Sequence, residues 1–494
     1  MKKNFSFQSI LFLLLLAVVL LYRFSVLHYF GFQYTDSDQT ILWQGLQDYS
    51  QGIFHEPRFY GQAYNSMLES FFAIPLFKMG VPAHIALPII TTCLALFPFL
   101  MLACFFYNKK HYFASFTILS IPLLMPLEYD LISSLPRGFV TGIFISSLGI
   151  YFYLKKIKFH LFFFGLFIFM GFSLNANSVL LSIPFTLYIW WQQKHKVEFY
   201  YKSTLGLGLA VLIHFWIANF YVLRPAQNIH QYWLHYSFSD LWNGISYLDE
   251  YINFVSPLIW KNSFLLLFIL VIYGLYFLKK NERARALYCF SIPVVLILTL
   301  GINKVHDGSD SIFFHKSRMY LALPVLIAFG LSFVKNLNVP YKTLLLIIPI
   351  LVGGYKTYLL PTVVLSQTNL DKNHIVDIAE IHKLKSQCEK LQKYALKHDV
   401  SLLLISDYYG ANLINYGCES CVSQFPETLN PATERRTWRL IEEKFKVNKN
   451  VLLMDLKNSY PNAQELEKGI FLLKNNSFTT EELMKNLTIN FRKF

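Results

Sequence analysis

Two carboxylates one residue apart, Asp36-Ser37-Asp38, stand between an apolar run and an amphipathic one. A carboxylate within hydrogen-bond reach of a hydroxyl or amine can take its proton as a general base. With more oxygen ligands the same groups can bind a divalent cation such as Mg or Mn, and Glu69 supplies a third carboxylate downstream. Asp in front of a helical stretch is also a common N-cap. On spacing alone, capping is the plainer reading of the pair. Tyr60-Gly61-Gln62-Ala63-Tyr64 lies between these acids and leads into Leu68-Glu69, with Gln62 and Tyr64 as candidate substrate-binding residues.

A second cluster runs from His306-Asp307-Gly308 to His315-Lys316-Ser317-Arg318-Met319-Tyr320. His315, Lys316 and Arg318 put three potentially cationic side chains close together. They suit a lipid phosphate or pyrophosphate, because Arg grips phosphate with two parallel bonds and Lys adds a point charge. Anchoring to lipid headgroups is the plainer alternative. Glu128, Asp130 and Arg137 form a weaker third group. For them, solvated loop charges are an equally good account.

Something must hold these groups, and composition says what. Of the 494 residues, 54% are hydrophobic and 15% charged, too apolar for a chain of this size bathed in water. Runs such as Ile10 to Leu21, Leu161 to Met170 and Phe264 to Leu278 are nearly charge-free. A membrane-crossing helix needs about 20 such residues, and only helices or closed barrels bond all their backbone groups in lipid. These runs are continuous rather than alternating, so helices are expected. Leu21-Tyr22-Arg23-Phe24 offers no small-residue cleavage pattern, so the first run reads as a retained helix and not a signal peptide.

The net charge of +14 does not point to nucleic acid, because its distribution follows the apolar runs. Lys109-Lys110, Lys155-Lys156, Lys194 with Lys196, and Lys279-Lys280 with Arg283 and Arg285 fall in short breaks between runs. That pattern marks cytoplasmic loops. Placing each break inside predicts about eleven spans over residues 1–360 with the N-terminus cytoplasmic. Outer loops then cover 28–82, 127–137, 223–262 and 303–318. The Met67 to Lys78 stretch is short and reads as re-entrant or interfacial. The basic residues of the 303–318 loop run against the positive-inside trend, which favours a function for them.

Beyond Asp371 the composition becomes that of a soluble domain. A helix is expected over Asn373 to Leu396 and another from Pro431-Ala-Thr-Glu-Arg-Arg-Thr-Trp438, with strands at Ser401 to Ser406, Val451 to Met454 and Ile470 to Leu473. Residues 371–494 therefore predict a small extracytoplasmic α/β domain. Cys93, Cys104 and Cys289 fall in spans, as small apolar fillers. Cys388, Cys418 and Cys421 lie in the outer domain, where a structural disulfide of open pairing is expected. No second Cys pair completes a zinc site around Cys418-Glu-Ser-Cys421.

The order Asp36-Ser-Asp38, Tyr60-Gly-Gln-Ala-Tyr64 with Leu68-Glu69, then Ser317-Arg318-Met-Tyr-Leu-Ala-Leu-Pro324 resembles bacterial GT-C glycosyltransferases. The resemblance is to the family-39-like group related to protein O-mannosyltransferases and lipid A aminoarabinose transferases. It spans about Met1 to Val334, and Ser406-Asp407-Tyr408-Tyr409 resembles the C-terminal regions of such proteins. It implies an all-α polytopic membrane domain of GT-C type followed by the α/β domain, in a bacterial inner membrane with the C-terminal domain periplasmic. It also implies inverting transfer of a sugar from a polyprenyl-phosphate donor to a protein, lipid or glycan acceptor on the outer face.

Residue by residue, the resemblance makes Asp38 the catalytic acid or base with Asp36 next, although Gln39 stands where the family usually has Glu. Glu69 would orient acceptor or base, Arg318 would bind donor phosphate with Lys316 or His315, and Arg137 would join the substrate contacts. Asp36, Asp38 and Glu69 would hold a cation if one is used. Two other classes fit a polytopic chain. A transporter or lipid flippase would use midplane polar breaks, for which Asn175-Ala-Asn177 is the one candidate, and it usually shows internal repeats, which are not evident here. A lipid-sugar polymerase or ligase would use a different helical arrangement.

Overall fold

A computed structural model describes residues 7–222, 230, 232–256, 262–334, 341–369, 378–406, 412–430, 450–455, 460, 463–474, 482–483, 485 and 487. In chain order the helices are α1 (Phe7–Val26), α2 (Ser37–Ser50), α3 (Leu68–Lys78), α4 (Ala83–Asn108), α5 (Tyr112–Leu124) and α6 (Leu127–Ile132). There follow α7 (Thr141–Lys155), α8 (His160–Leu174), α9 (Val179–Gln193), α10 (Val197–Val222), α11 (Phe238–Ser246) and α12 (Leu248–Ile252). Then come α13 (Ser263–Lys279), α14 (Arg283–Thr299), α15 (Asn303–His306), α16 (Leu323–Leu331), α17 (Tyr341–Asn369) and α18 (Ile381–Lys397). The strands are β1 (Tyr34–Asp36), β2 (Ile378–Glu380), β3 (Val400–Ile405), β4 (Glu427–Leu429), β5 (Asn450–Met454), β6 (Gln464–Glu467) and β7 (Ile470–Leu473).

Among the described residues, four helices are long and apolar enough to cross a membrane: Phe7–Gly31, Ala83–Asn108, Val197–Val222 and Leu346–Asn369. Tyr112–Leu124, His160–Leu174 and Ser263–Lys279 are shorter apolar helices. On α10, Leu205, Leu212, Phe215 and Trp216 are 63 to 75% exposed, a face that water would penalise and hydrocarbon would not. The chain is an integral membrane protein.

Compactness divides the chain otherwise than a cut near residue 371 would. One unit holds 1–31, 88–218 and 232–373, and the other holds 32–87, 219–231 and 374–494. In the first unit, small residues let helix backbones meet, as is common where apolar packing has no water to drive it. A Cβ on Gly206 of α10 would stand 2.0 Å from the Phe162 carbonyl oxygen of α8. A Cβ on Gly142 of α7 would stand 2.7 Å from the Gly171 carbonyl oxygen.

The same unit buries charge. Asp130 of α6, expected as a solvated loop residue, is fully buried. Its carboxylate pairs with Lys356 of α17 at 2.5 Å and Arg23 of α1 at 3.2 Å, and the Tyr22 hydroxyl donates to it. Arg23 also donates to the Asp130 carbonyl at 3.3 Å and to Ser133 Oγ at 3.0 Å. Loop charges at the end of a short helix thus tie three helices together, which explains why the solvated reading fails.

In the second unit, β1 pairs antiparallel with β2, Thr35 opposite Ala379. The helix expected from Asn373 begins only at Ile381, because residues 378–380 find a strand partner in residues 34–36, far earlier in the chain. The five-stranded sheet has order β4-β3-β5-β7-β6, with β3 parallel to β4 and β5, and β7 antiparallel to β5 and β6. Leu402, Leu404, Val451, Leu453 and Phe471 form its core. Cys388 bonds to Cys418. Cys421 is a free thiol whose pKa burial pushes up to about 11, so Cys418-Glu-Ser-Cys421 is not a redox pair. Asp407-Tyr408-Tyr409 and the expected helix from Pro431 lie outside the described residues.

Removing one partner from a buried ion cluster strands the others, at about 3–5 kcal/mol. Asp130→Asn should therefore lower unfolding stability in detergent by that order. Asp130→Asn combined with Lys356→Met should recover part of the loss.

Candidate active site

The second unit positions the acids. Asp36 ends β1 with extended backbone, φ −129° and ψ 175°, and its carboxylate accepts from the N–H of Asp38 at 3.0 Å and of Gln39 at 2.9 Å. It satisfies two of the four N–H groups that a helix start leaves without intrahelical partners. Asp36 is fully buried, whereas Asp38, in the first turn of α2, is half-buried. The two carboxylates therefore have different work. Asp36 is the cap, and Asp38 sits where the positive end of the helix dipole favours an anion.

α2 packs on α3 at close quarters. Ser70 Oγ donates to the Leu42 carbonyl at 2.9 Å, and a Cβ on Gly45 would fall 2.1 Å from Met67 Cε. This contact holds Glu69, fully buried in the first turn of α3, on the helix that lies against α2. Among the described residues, no group of three or more His, Cys, Asp or Glu stands close enough to hold a metal ion.

The Tyr60 to Tyr64 segment is fixed by its backbone. Gly61 has φ 77°, where a side chain would strain the turn. Its N–H donates to the Glu56 carboxylate at 3.1 Å, and its carbonyl accepts from His230 N–H at 2.9 Å. Ala63 N–H returns a bond to the His230 carbonyl at 3.0 Å, and the Tyr64 ring meets His230 edge-on at 5.6 Å. Gln62 is half-buried beside them. Tyr60 is buried against Asp48, Tyr49 and His55; desolvation pushes its phenol pKa up, and the neighbouring acids add to that. The sequence reading passed over Asp48, His55, Glu56 and Arg58. Their only signal was charge within an otherwise polar loop.

In the first unit the basic residues are tied to their own loop. Arg318 is 4% exposed and donates to the carbonyls of Phe314 and His315 at 3.0 Å each and to that of Asp307. Its guanidinium lies 3.8 Å from the Phe314 ring centre. Arg137 joins it there, 5.3 Å from the same ring and bonded to the Phe313 carbonyl. Asn177 Nδ2 donates to the Phe139 carbonyl at 2.6 Å and to the Arg318 carbonyl at 3.3 Å, while Asn175 Nδ2 holds the Gly138 carbonyl at 2.9 Å. The polar break between α8 and α9 thus ties three loops together.

His315 and Lys316 differ from one another. His315 Nδ1 accepts from Ser317 N–H at 3.1 Å, and its ring lies 4.2 Å from that of Phe254. Burial lowers its pKa to about 4, with the Arg318 charge adding to the effect, so at neutral pH it carries no positive charge for a phosphate. Lys316, a quarter exposed, pairs with Glu250 at 2.8 Å, and that carboxylate helps hold its pKa up. Next to it, Tyr251 hydroxyl meets His306 Nδ1 at 2.7 Å, while His306 Nε2 lies 2.6 Å from the Leu300 carbonyl. A carbonyl only accepts, so Nε2 is the donor in that bond.

Because the folded His315 pKa lies below the unfolded value near 6.5, the unfolded chain takes up a proton that the fold refuses. Stability from this site is present above about pH 6.5 and lost as pH falls toward 4. His315→Gln should flatten that part of the stability–pH curve measured by thermal unfolding in detergent.

No protein-family profile matches the chain, and no curated protein sequence matches it. Among solved structures, it is similar to crystalline apo ArnT from Cupriavidus metallidurans, with TM-score 0.57 and 11% identity over 93% of this chain and 97% of that one. With nearly the whole of both chains superposed, this chain has the GT-C fold.

Proposed function

We propose that the protein is a membrane glycosyltransferase that moves a sugar from a polyprenyl-phosphate donor to an acceptor on the outer face of a bacterial inner membrane. The observation that carries the reading is fold similarity to ArnT across 93% of the chain. Fold alone does not dictate activity, so the site residues must supply the chemistry. The topology that accompanies this reading has eleven crossings, a cytoplasmic N-terminus, catalytic outer loops and a periplasmic C-terminal domain.

Asp38 is the general base. It takes the proton from the acceptor hydroxyl or amine as that atom bonds to the anomeric carbon. The carbon–oxygen bond to phosphate breaks on the opposite face, which inverts the centre and releases polyprenyl phosphate. Asp36 is a positioning residue, since its carboxylate is already engaged by the Asp38 and Gln39 amides. Glu69 orients the base or the acceptor, and Gln62 and Tyr64 contact the substrate.

On the donor side, Lys316 is the cation able to reach a phosphate by exchanging Glu250 for it. Arg318 and Arg137, with donors spent on carbonyls, lend positive potential where charge builds on the leaving group. A transporter reading finds less support. Asn175 and Asn177, its candidate polar break, are engaged with loop carbonyls, and the buried Asp130 cluster pairs internally.

Removing a general base costs about 10²-fold or more in rate. Asp38→Asn should lose at least that much sugar transfer, measured on folded, purified protein with a radiolabelled polyprenyl-phosphate sugar. Asp36→Asn should stay active, because Asn caps a helix about as well as Asp. Full activity in Asp38→Asn would sink the assignment.

A further inference from the structure

Helices α13, α14 and α16 line a half-open cavity of about 540 Å³ that shares no residue with the acids or loop cations described above. One wall is a stripe on α13 that includes Leu266, Leu270, Tyr273 and Phe277, with Lys280 just past the helix end. From Leu266 to Phe277, at about 1.5 Å per residue, this stripe runs roughly 16 Å. One leaflet of a hydrocarbon core about 30 Å thick is about 15 Å deep, close to that length. The opposite walls include Ile292 and Cys289 of α14 and Gly330 of α16. The cavity is apolar along its length and changes character at one end only.

That end is basic. Lys280 and Arg285 line it, and the turn between α13 and α14 carries Lys279, Lys280, Arg283 and Arg285 against a single carboxylate, Glu282. Lys280 Nζ donates to the Tyr276 hydroxyl at 2.5 Å. Arg285 pairs with Glu282 and lies over the rings of Phe277 at 5.7 Å and Phe333 at 5.3 Å. The local excess of positive charge stands at the point where an apolar slot one leaflet long opens.

We infer that this cavity seats one acyl chain of an anionic phospholipid from the leaflet on the Lys279–Arg285 side, with its phosphate held by Lys280 and Arg285. The length of the slot matches a single leaflet-deep chain, and its volume lies within the ordinary range for small-molecule sites. The charge at the mouth selects the headgroup. The inference stands apart from the transferase reading, because it uses none of the same residues.

The test uses the full-length protein, extracted from nanodiscs of equal phosphatidylglycerol and phosphatidylcholine, with retained lipids counted by native mass spectrometry. Wild type should keep one phosphatidylglycerol in preference to phosphatidylcholine. Lys280→Gln with Arg285→Gln should reduce that preference about tenfold or more, since each basic residue contributes to anionic-lipid attraction. Gly330→Leu should reduce retention of both lipids, because its added atoms enter the slot where a Cβ would meet only Tyr288 Cε1, at an ordinary 3.7 Å. If that variant does not fold, the charge variant decides alone. Inorganic phosphate at millimolar concentration should not release the lipid. Release by phosphate, a preference unchanged in the charge variant, or undiminished retention in folded Gly330→Leu would each overturn the inference.

Discussion

The carboxylate of Asp36 ends a strand and starts a helix in the same step, and the geometry of the candidate site depends on that bond. Its two amide partners, at 3.0 and 2.9 Å, fix the first turn of α2 and with it the position of Asp38. Upstream, the extended backbone that the cap requires also lets Tyr34 to Asp36 pair with Ile378 to Glu380. Downstream, the set direction of α2 brings Gly45 against Met67 and Ser70 against Leu42, so that Glu69 lies on the helix packed against α2. That carboxylate is spent on structure, and in the proposed function its neighbour Asp38 is the base.

The membrane unit answers a different constraint, the cost of polar groups away from water. Charges and amides there are matched to one another. Asp130 is surrounded by Arg23, Lys356 and Tyr22. Arg318 and Arg137 donate hydrogen bonds to carbonyls of the 307–315 segment while flanking Phe314. Asn175 and Asn177 close the set by bonding the carbonyls of Gly138, Phe139 and Arg318. Buried polar groups are tolerated when their partners are supplied, and here the partners come from loops far apart in the sequence.

Much of the architecture was legible because hydrophobic periodicity and charge placement are local signals. The apolar runs marked the helices, and strands β3, β5 and β7 were readable from short buried runs at Ser401, Val451 and Ile470. What escaped depends on distant partners. Residues 378–380 are a strand only because β1 offers an edge. Asp130 looks solvated until Arg23 and Lys356 arrive from α1 and α17. His315 looked cationic beside Lys316, but Phe254 and the loop desolvate it. The disulfide pairing follows from Cys388 and Cys418 lying 5.1 Å apart between Cα atoms, a distance that spacing in sequence cannot give. Asp36 and Asp38 were visible as a pair, yet only the backbone geometry separated cap from candidate base.

The most direct measurement asks whether the wild-type protein, purified and folded, consumes a radiolabelled polyprenyl-phosphate sugar when supplied with membrane acceptors, followed by thin-layer separation. The account predicts loss of one such donor with release of polyprenyl phosphate and label appearing in the acceptor. Every polyprenyl-phosphate sugar tested remaining intact, in a preparation whose unfolding transition is cooperative, would contradict it.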